Sequence, residues 1–113
     1  MIVEKTNLEG VLKIKLDAFE DHRGYYLETY NEELYSKHGI NTKFVQDDIS
    51  VSKQNVLRGI HGDFESWKLV HCVYGEIYQV VVDCRKESPN YLQYDSFKLS
   101  HDEPKLILMP PGF

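Results

Sequence analysis

Cysteine is scarce. The 113 residues hold two, Cys72 and Cys84, and they are not spaced as a CxxC pair. A disulfide-stapled scaffold is excluded, and both are expected to be reduced, buried thiols of a cytoplasmic protein. Long apolar runs are missing as well. No stretch approaches membrane-spanning length, and the opening MIVEKTNLEG has no apolar core of the kind a secretory leader needs. No membrane association is therefore expected. Positive charge is in deficit, with 13 Lys and Arg against 18 Asp and Glu and a net charge of −5. That balance argues against a nucleic-acid partner, although a few placed arginines can still hold one phosphorylated small molecule. Histidines at metal-ligand spacing are lacking too. His61 is followed by Gly62 and Asp63, and His71 stands on the next strand with a parity opposite to that of Lys68. No metal is expected. Internal repeats and low-complexity linkers are absent, which leaves one domain with one core.

What is present is alternation. VLKIKL (11–16) and YYLETY (25–30) read as strands on either side of a polar turn, "DHRG" (21–24). Asn31 followed by Glu32 and Glu33 marks a helix start, and Gly39 marks its end, so one short helix is predicted near residues 31–38. The remaining runs all read as strands: KFVQDDISVS (43–52), VLRGIH (56–61), WKLVHCVY (67–74), EIYQVVVDC (76–84), LQYDSFKLS (92–100) and KLILMP (105–110). Short strands at near-regular spacing predict an all-β sandwich or barrel. Parity then sorts the faces. Ile77, Gln79, Val81 and Asp83 share one side of their strand, and Lys68, Val70, Cys72 and Tyr74 share one side of theirs. A sandwich core has no use for Gln79 and Asp83, whereas a barrel with a polar cavity does. After KLILMP comes "PPGF" (110–113), a turn signal that leaves the last strand as an open edge. This predicts a fragment, or a chain completed by a partner.

The segment NVLRGIHGDFESWKLV (55–70) crowds an arginine, two glycines, a histidine, an aspartate and a lysine into a strand-like pattern. Burying so many polar groups is costly unless each has a partner, so either the segment is a loop that only looks like strand or its polar groups face a site. Flanking glycines would let backbone approach a ligand closely at His61. Taken singly, each group also has a plain reading: Arg23 as a surface arginine in a turn, Gln46 as a sheet-edge amide, Lys68 as a snorkelling lysine, and Asp83 as a paired carboxylate.

Taken together they resemble a known family. D21-H-R-G-Y-Y-L-E-T-Y30, F44-V-Q-D-D-I-S-V-S52, V56-L-R-G-I-H61, K68-L-V-H-C-V-Y-G-E76 and V82-D-C-R-K-E-S-P-N-Y91 resemble, in order, the dTDP-4-dehydrorhamnose 3,5-epimerase family. "RGIHGD" with "VYGEIYQVVVDCRK" is most similar to the GDP-4-keto-heptose 3,5-epimerases of capsule synthesis. The resemblance implies a cupin-like (jelly-roll) β-barrel, a homodimer, no cofactor, and a nucleoside-diphosphate 4-keto sugar as substrate. By the same resemblance His61 is the general base and Lys68 the cation that steadies the enolate. Arg23 and Glu28 bind the nucleotide, often across a subunit boundary. Gln46 and Arg58 hold the nucleotide-sugar, with Arg58 near the diphosphate. Asp83 is a supporting carboxylate of the barrel interior.

These residue types suit that chemistry. A proton beside a ketone is weakly acidic, so its removal needs a base and an enolate stabiliser in one preorganised place. Imidazole, with an ordinary pKa of about 6.5, accepts a proton at neutral pH. The chain also departs from the pattern. Asp48 stands where Asn is common, and Asp63 stands where the rhamnose type more often carries Gln. The family's further histidine, its proton-returning tyrosine and the carboxylate that orients the base lie in a segment after "PPGF". Residues 1–113 are thus expected to be a single cupin-like epimerase domain without its C-terminal part. A nucleotide-sugar 3,4-ketoisomerase and a non-catalytic nucleotide-sugar-binding protein are the alternative readings.

Overall fold

Leu106–Met109 is a run without a polar residue, and such a strand needs cover on both faces. The computed structural model describes residues 1–113 and supplies that cover. The elements in chain order are β1 (Ile2–Lys5), β2 (Leu12–Lys15), β3 (Ala18–Asp21), β4 (Gly24–Leu27), α1 (Glu32–Lys37), β5 (Lys68–His71), β6 (Glu76–Val82), β7 (Tyr94–Ser100) and β8 (Lys105–Met109). They form an antiparallel sheet of order β1-β2-β8-β5 and two separate pairs, β3-β4 and β6-β7. In the larger sheet Ile14 pairs with Leu106, and Val70 pairs with Ile107.

β8 divides the core in two. Ile107 and Met109 point towards β6-β7 and join Leu8, Val11, Cys72, Val81, Leu99 and Phe113. Leu106 and Leu108 point the other way and join Ile14, Tyr35 and Ile40 beneath the helix. The helix starts as its sequence predicts, with the Asn31 Oδ1 accepting from the Leu34 N–H at 3.0 Å. Tyr35 is its buried contact, and the Tyr35 hydroxyl donates to Thr29 O at 2.7 Å. Burial without a compensating charge raises the pKa of that phenol to about 12.

Three expectations need correction. Residues 43–52 and 56–61 belong to no strand. Apart from Phe44, which packs against the cluster beneath the helix, their side chains stand in solvent, with Val45 86% and Leu57 91% exposed. Alternation and β-propensity say which side chains fit a pleated surface; they do not provide the neighbouring edge whose N–H and C=O groups complete a ladder. This segment pairs with none of the strand edges, so it runs as loop. The polar groups of VLRGIH therefore sit on a loop rather than on a strand wall. The last strand is also misplaced by its turn signal: β8 is not an open edge, since it is hydrogen-bonded to β2 on one side and β5 on the other. β1 and β3 are additional short strands that their mixed, exposed compositions concealed.

The fold is most sensitive at β8. Ile107→Ala removes a side chain that is fully buried and should cost about 2–5 kcal/mol. A denaturant titration should show a lower midpoint, and an unchanged midpoint would mean that β8 is not the centre of the core.

Candidate functional site

Lys68 opens β5 on the same face as Val70 and Cys72, and both of these belong to the core between the sheets. The parity read from the sequence holds, because Leu69 packs instead into the cluster beneath the helix. Lys68 pairs in register with Met109. From the facing sheet, the Gln79 Nε2 reaches the Met109 Sδ at 3.6 Å. Lys68, Met109 and Gln79 thus share the inner surface. The Gln79 Oε1 is buried there without a hydrogen-bond partner. His71, half-buried on the opposite parity, has its pKa lowered by desolvation.

The Lys68 ammonium meets Asp63, with Nζ 3.1 Å from Oδ2. Asp63 is itself held, because its Oδ1 accepts from the Glu65 N–H at 2.9 Å and the Ser66 N–H at 2.6 Å. Those two backbone donors, and then Lys68, hold its carboxyl far below the ordinary range. His61 lies two residues earlier and is exposed. Between them Gly62 packs against the Phe113 carbonyl so closely that a Cβ would collide with it. The Gly112 N–H donates to Asp63 O at 2.9 Å. The loop that carries His61 is therefore docked on the Pro110–Phe113 turn.

The other predicted residues are placed elsewhere. Arg23 sits at the tip of the β3-β4 hairpin, 2.5 Å from Asp21, and that hydrogen bond raises its pKa. It lines a shallow depression of about 280 Å³ with Phe19, Tyr25 and Tyr26. Glu28 is exposed just beyond β4. Gln46 donates to Asp48 at 2.7 Å. Arg58 donates to the Ser52 hydroxyl at 2.9 Å and to Val51 O at 3.0 Å. None of these touches His61 or Lys68 through a hydrogen bond. A larger recess of about 370 Å³, on the helix side between Gly10, Ile40, Trp67 and Leu108, holds none of the predicted residues. No group of three or more His, Cys, Asp or Glu side chains converges as a metal site would require.

Asp83 is completely buried. Its Oδ1 accepts from the Arg85 Nε at 2.9 Å, and its Oδ2 accepts from the Arg85 Nη2 at 2.7 Å and the Ser88 hydroxyl at 2.5 Å. Arg85 goes on to Glu9 O at 2.7 Å and stacks over the Phe113 ring at 4.5 Å. Sequence reasoning named Asp63 without a role and missed Arg85 and Ser88. The signal for the last two was Asp-x-Arg-x-x-Ser at the end of β6, where a strand carboxylate can be met by donors from its own following turn.

The fold and this inner face define a nearly all-β, cupin-like barrel protein. The family model for dTDP-4-dehydrorhamnose 3,5-epimerase matches residues 5–113, and the chain belongs to that family. It is 40% identical to the dTDP-4-dehydrorhamnose 3,5-epimerase of Methanothermobacter thermautotrophicus over 111 residues, covering 96% of this chain and 60% of that protein. It is 42% identical to that of Salmonella typhimurium, covering 100% and 64%. Among solved structures, the Bacillus anthracis dTDP-4-dehydrorhamnose 3,5-epimerase with TDP and PPi bound superposes with a TM-score of 0.92 at 33% identity, covering 98% of this chain and 66% of that one. The Legionella pneumophila dTDP-6-deoxy-D-glucose-3,5-epimerase in complex with dTDP-4-keto-L-rhamnose gives 0.93 at 32%, covering 99% and 61%. The chain thus spans less than two thirds of the length of these relatives.

Asp83 gives the site's support a pH signature. Its hydrogen bonds with Arg85 outweigh desolvation and lower its pKa from 3.8 to about 2. Between those values the unfolded chain binds more protons than the folded one, so stability falls as pH falls. The contribution is complete above about pH 4, where the shift corresponds to about 2 kcal/mol, and is lost as pH approaches 2. Denaturant midpoints measured from pH 5 to 2 should fall less steeply in Asp83→Asn than in the wild type. Equal slopes would show that Asp83 is not the linked group.

Proposed function

We propose that this chain carries the base and the enolate stabiliser of a nucleotide-sugar epimerase. It would act at C3, C5 or both of a nucleoside-diphosphate 4-keto-6-deoxy sugar or 4-keto heptose. The observation that carries the reading is the position of Lys68. It stands on the inner face, with its ammonium held beside the docked loop that bears His61. Family membership and the relatives' names agree with it.

The step follows from these groups. His61 takes a proton from the carbon beside the ketone and becomes imidazolium. The electrons of the broken C–H bond form a C=C bond, and the ketone oxygen takes the negative charge. Lys68 meets that charge from a fixed position, where a preorganised cation is worth most. Return of a proton to the opposite face of the same carbon inverts the centre. Arg23, Glu28, Gln46 and Arg58 are assigned to the nucleotide and diphosphate end, where planar guanidinium groups suit phosphate oxygens.

Three further assignments go with this reading. The protein acts as a homodimer, in which the aromatic hairpin at Phe19 and Tyr26 and the unpaired segment 43–61 find cover. Both regions are largely exposed here, and such surfaces mark interfaces. It works in the cytoplasm, in keeping with the free thiols of Cys72 and Cys84. The "RGIHGD" pattern favours a GDP-linked 4-keto heptose and a place in capsule or lipopolysaccharide synthesis over the dTDP-linked rhamnose precursor.

The test is deuterium wash-in from heavy water, followed by NMR, with dTDP- and GDP-linked 4-keto sugars and the full-length protein. Exchange at C3 or C5 is expected with one of them. His61→Asn should lower the rate roughly 10²–10⁴-fold, with nucleotide binding little changed. Lys68→Met should cost about 3 kcal/mol of transition-state stabilisation. Wild-type exchange in His61→Asn would place the base elsewhere.

A further inference from the structure

We propose that Asp63 is a positioning residue for Lys68: its carboxylate, fixed by a turn that is docked on Gly112 and Phe113, aims the lysine ammonium across the inner face. The inference rests on the reading of Lys68 as the enolate stabiliser and adds to it a residue whose only contact with the chemistry is through the lysine.

Four observations carry it. The Asp63 Oδ1 is occupied by the Glu65 and Ser66 N–H groups, so the carboxylate cannot rotate freely. Its Oδ2 is left for the lysine, at 3.1 Å. The Asp63 carbonyl accepts from the Gly112 N–H, and Gly62 packs on the Phe113 carbonyl. The turn is thereby tied to the chain that leaves β8. Finally, the lysine Nζ lies 3.5 Å from Ser66 O, in the same turn. An ammonium has three N–H donors. Asp63 and Ser66 engage two, and the third remains for an oxygen on the inner side of β5.

A stability role does not explain this arrangement. The two side chains are 30% and 44% exposed, and ion pairs that wet contribute little. The carboxylate also lowers the net field of the lysine, so it would cost rate if it did nothing else. What it supplies is orientation. A lysine has four rotatable bonds in its stem, and misplacement of a catalytic group by about 1 Å can cost about a hundredfold.

Asp63→Asn separates charge from turn, because the amide oxygen can still accept from Glu65 and Ser66. In the full-length protein we expect an unchanged thermal midpoint, a turnover about tenfold to a hundredfold lower, and a smaller change in KM. The two ε-methylene protons of Lys68, inequivalent in NMR spectra when the side chain is held, should merge in the variant. On a Lys68→Met background the Asp63→Asn loss should vanish, since the two residues act as one unit. Equal losses on both backgrounds would overturn the proposal and leave Asp63 as a turn residue, as would wild-type turnover in Asp63→Asn. Should the wild type exchange no deuterium into any 4-keto sugar, the epimerase reading fails on its own. The ε-methylene signals then decide the positioning claim: merging supports it, and unchanged inequivalence overturns it.

Discussion

The structure depends on one strand being satisfied in four directions. β8 is hydrogen-bonded to β2 on one edge and to β5 on the other. It sends Ile107 and Met109 into one apolar cluster and Leu106 and Leu108 into another. Over Leu106–Met109 the strand has no solvent face, and an unpaired polar residue there would be costly. Its place fixes the place of the site. Lys68 lies on the inner surface because it pairs with Met109. The turn that receives the His61 loop lies where it does because Pro110 follows directly at the end of β8. Placement of the candidate chemistry is thus a consequence of core packing, with no separate scaffold.

The Asp83 cluster connects that turn to the rest of the chain. A buried carboxylate is costly unless its partners are complete, and here Arg85 and Ser88 complete it. Arg85 then reaches the β1-β2 turn through Glu9 O and covers the Phe113 ring. The Cys84 N–H donates to Gly112 O at 2.9 Å, while the Gly112 N–H donates to Asp63 O. Gly112 has φ +94°, and its Cα lies against the Arg85 side chain, leaving no room for a Cβ. One glycine residue therefore links the buried ion pair to the loop beside Lys68. In the proposed reading, the supporting part assigned to Asp83 would run through these contacts, from Arg85 and Cys84 to Gly112 and on to Asp63.

Much of this was legible where residues alternate and find a local partner. The helix follows from Asn31 and its acids, the β3-β4 turn from "DHRG", and the inner face of β5 from the parity of Lys68, Val70 and Cys72. The centrality of β8 was also present, in the lack of alternation along LILM, but "PPGF" suggested an edge more loudly. The misreading of 43–61 has a different cause. Its pattern is that of a strand, yet a strand is defined by a second chain segment, which no single-segment pattern contains. Asp63 stands out in the sequence as one polar group of a crowded segment and as a departure from the family pattern, but neither feature gives it a partner. Its role arises only when a turn brings its carboxylate to a lysine five residues later.

The arrangement of charge follows the same logic. On an acidic chain, cations near a site tend to be neutralised locally. Arg23 is engaged by Asp21, Arg85 by Asp83, and Lys68 by Asp63. Arg58 is different: its partners are the neutral Ser52 hydroxyl and the Val51 carbonyl. A diphosphate approaching Arg23 must compete with a carboxylate already 2.5 Å away, whereas at Arg58 it exchanges neutral hydrogen bonds for charge-assisted ones, which are roughly twice as strong. Electrostatics alone therefore divides the two arginines assigned to the nucleotide end. In the proposed reading, Arg58 is the arginine whose charge no carboxylate already meets, whereas Arg23 must first part from Asp21 in an exposed pair.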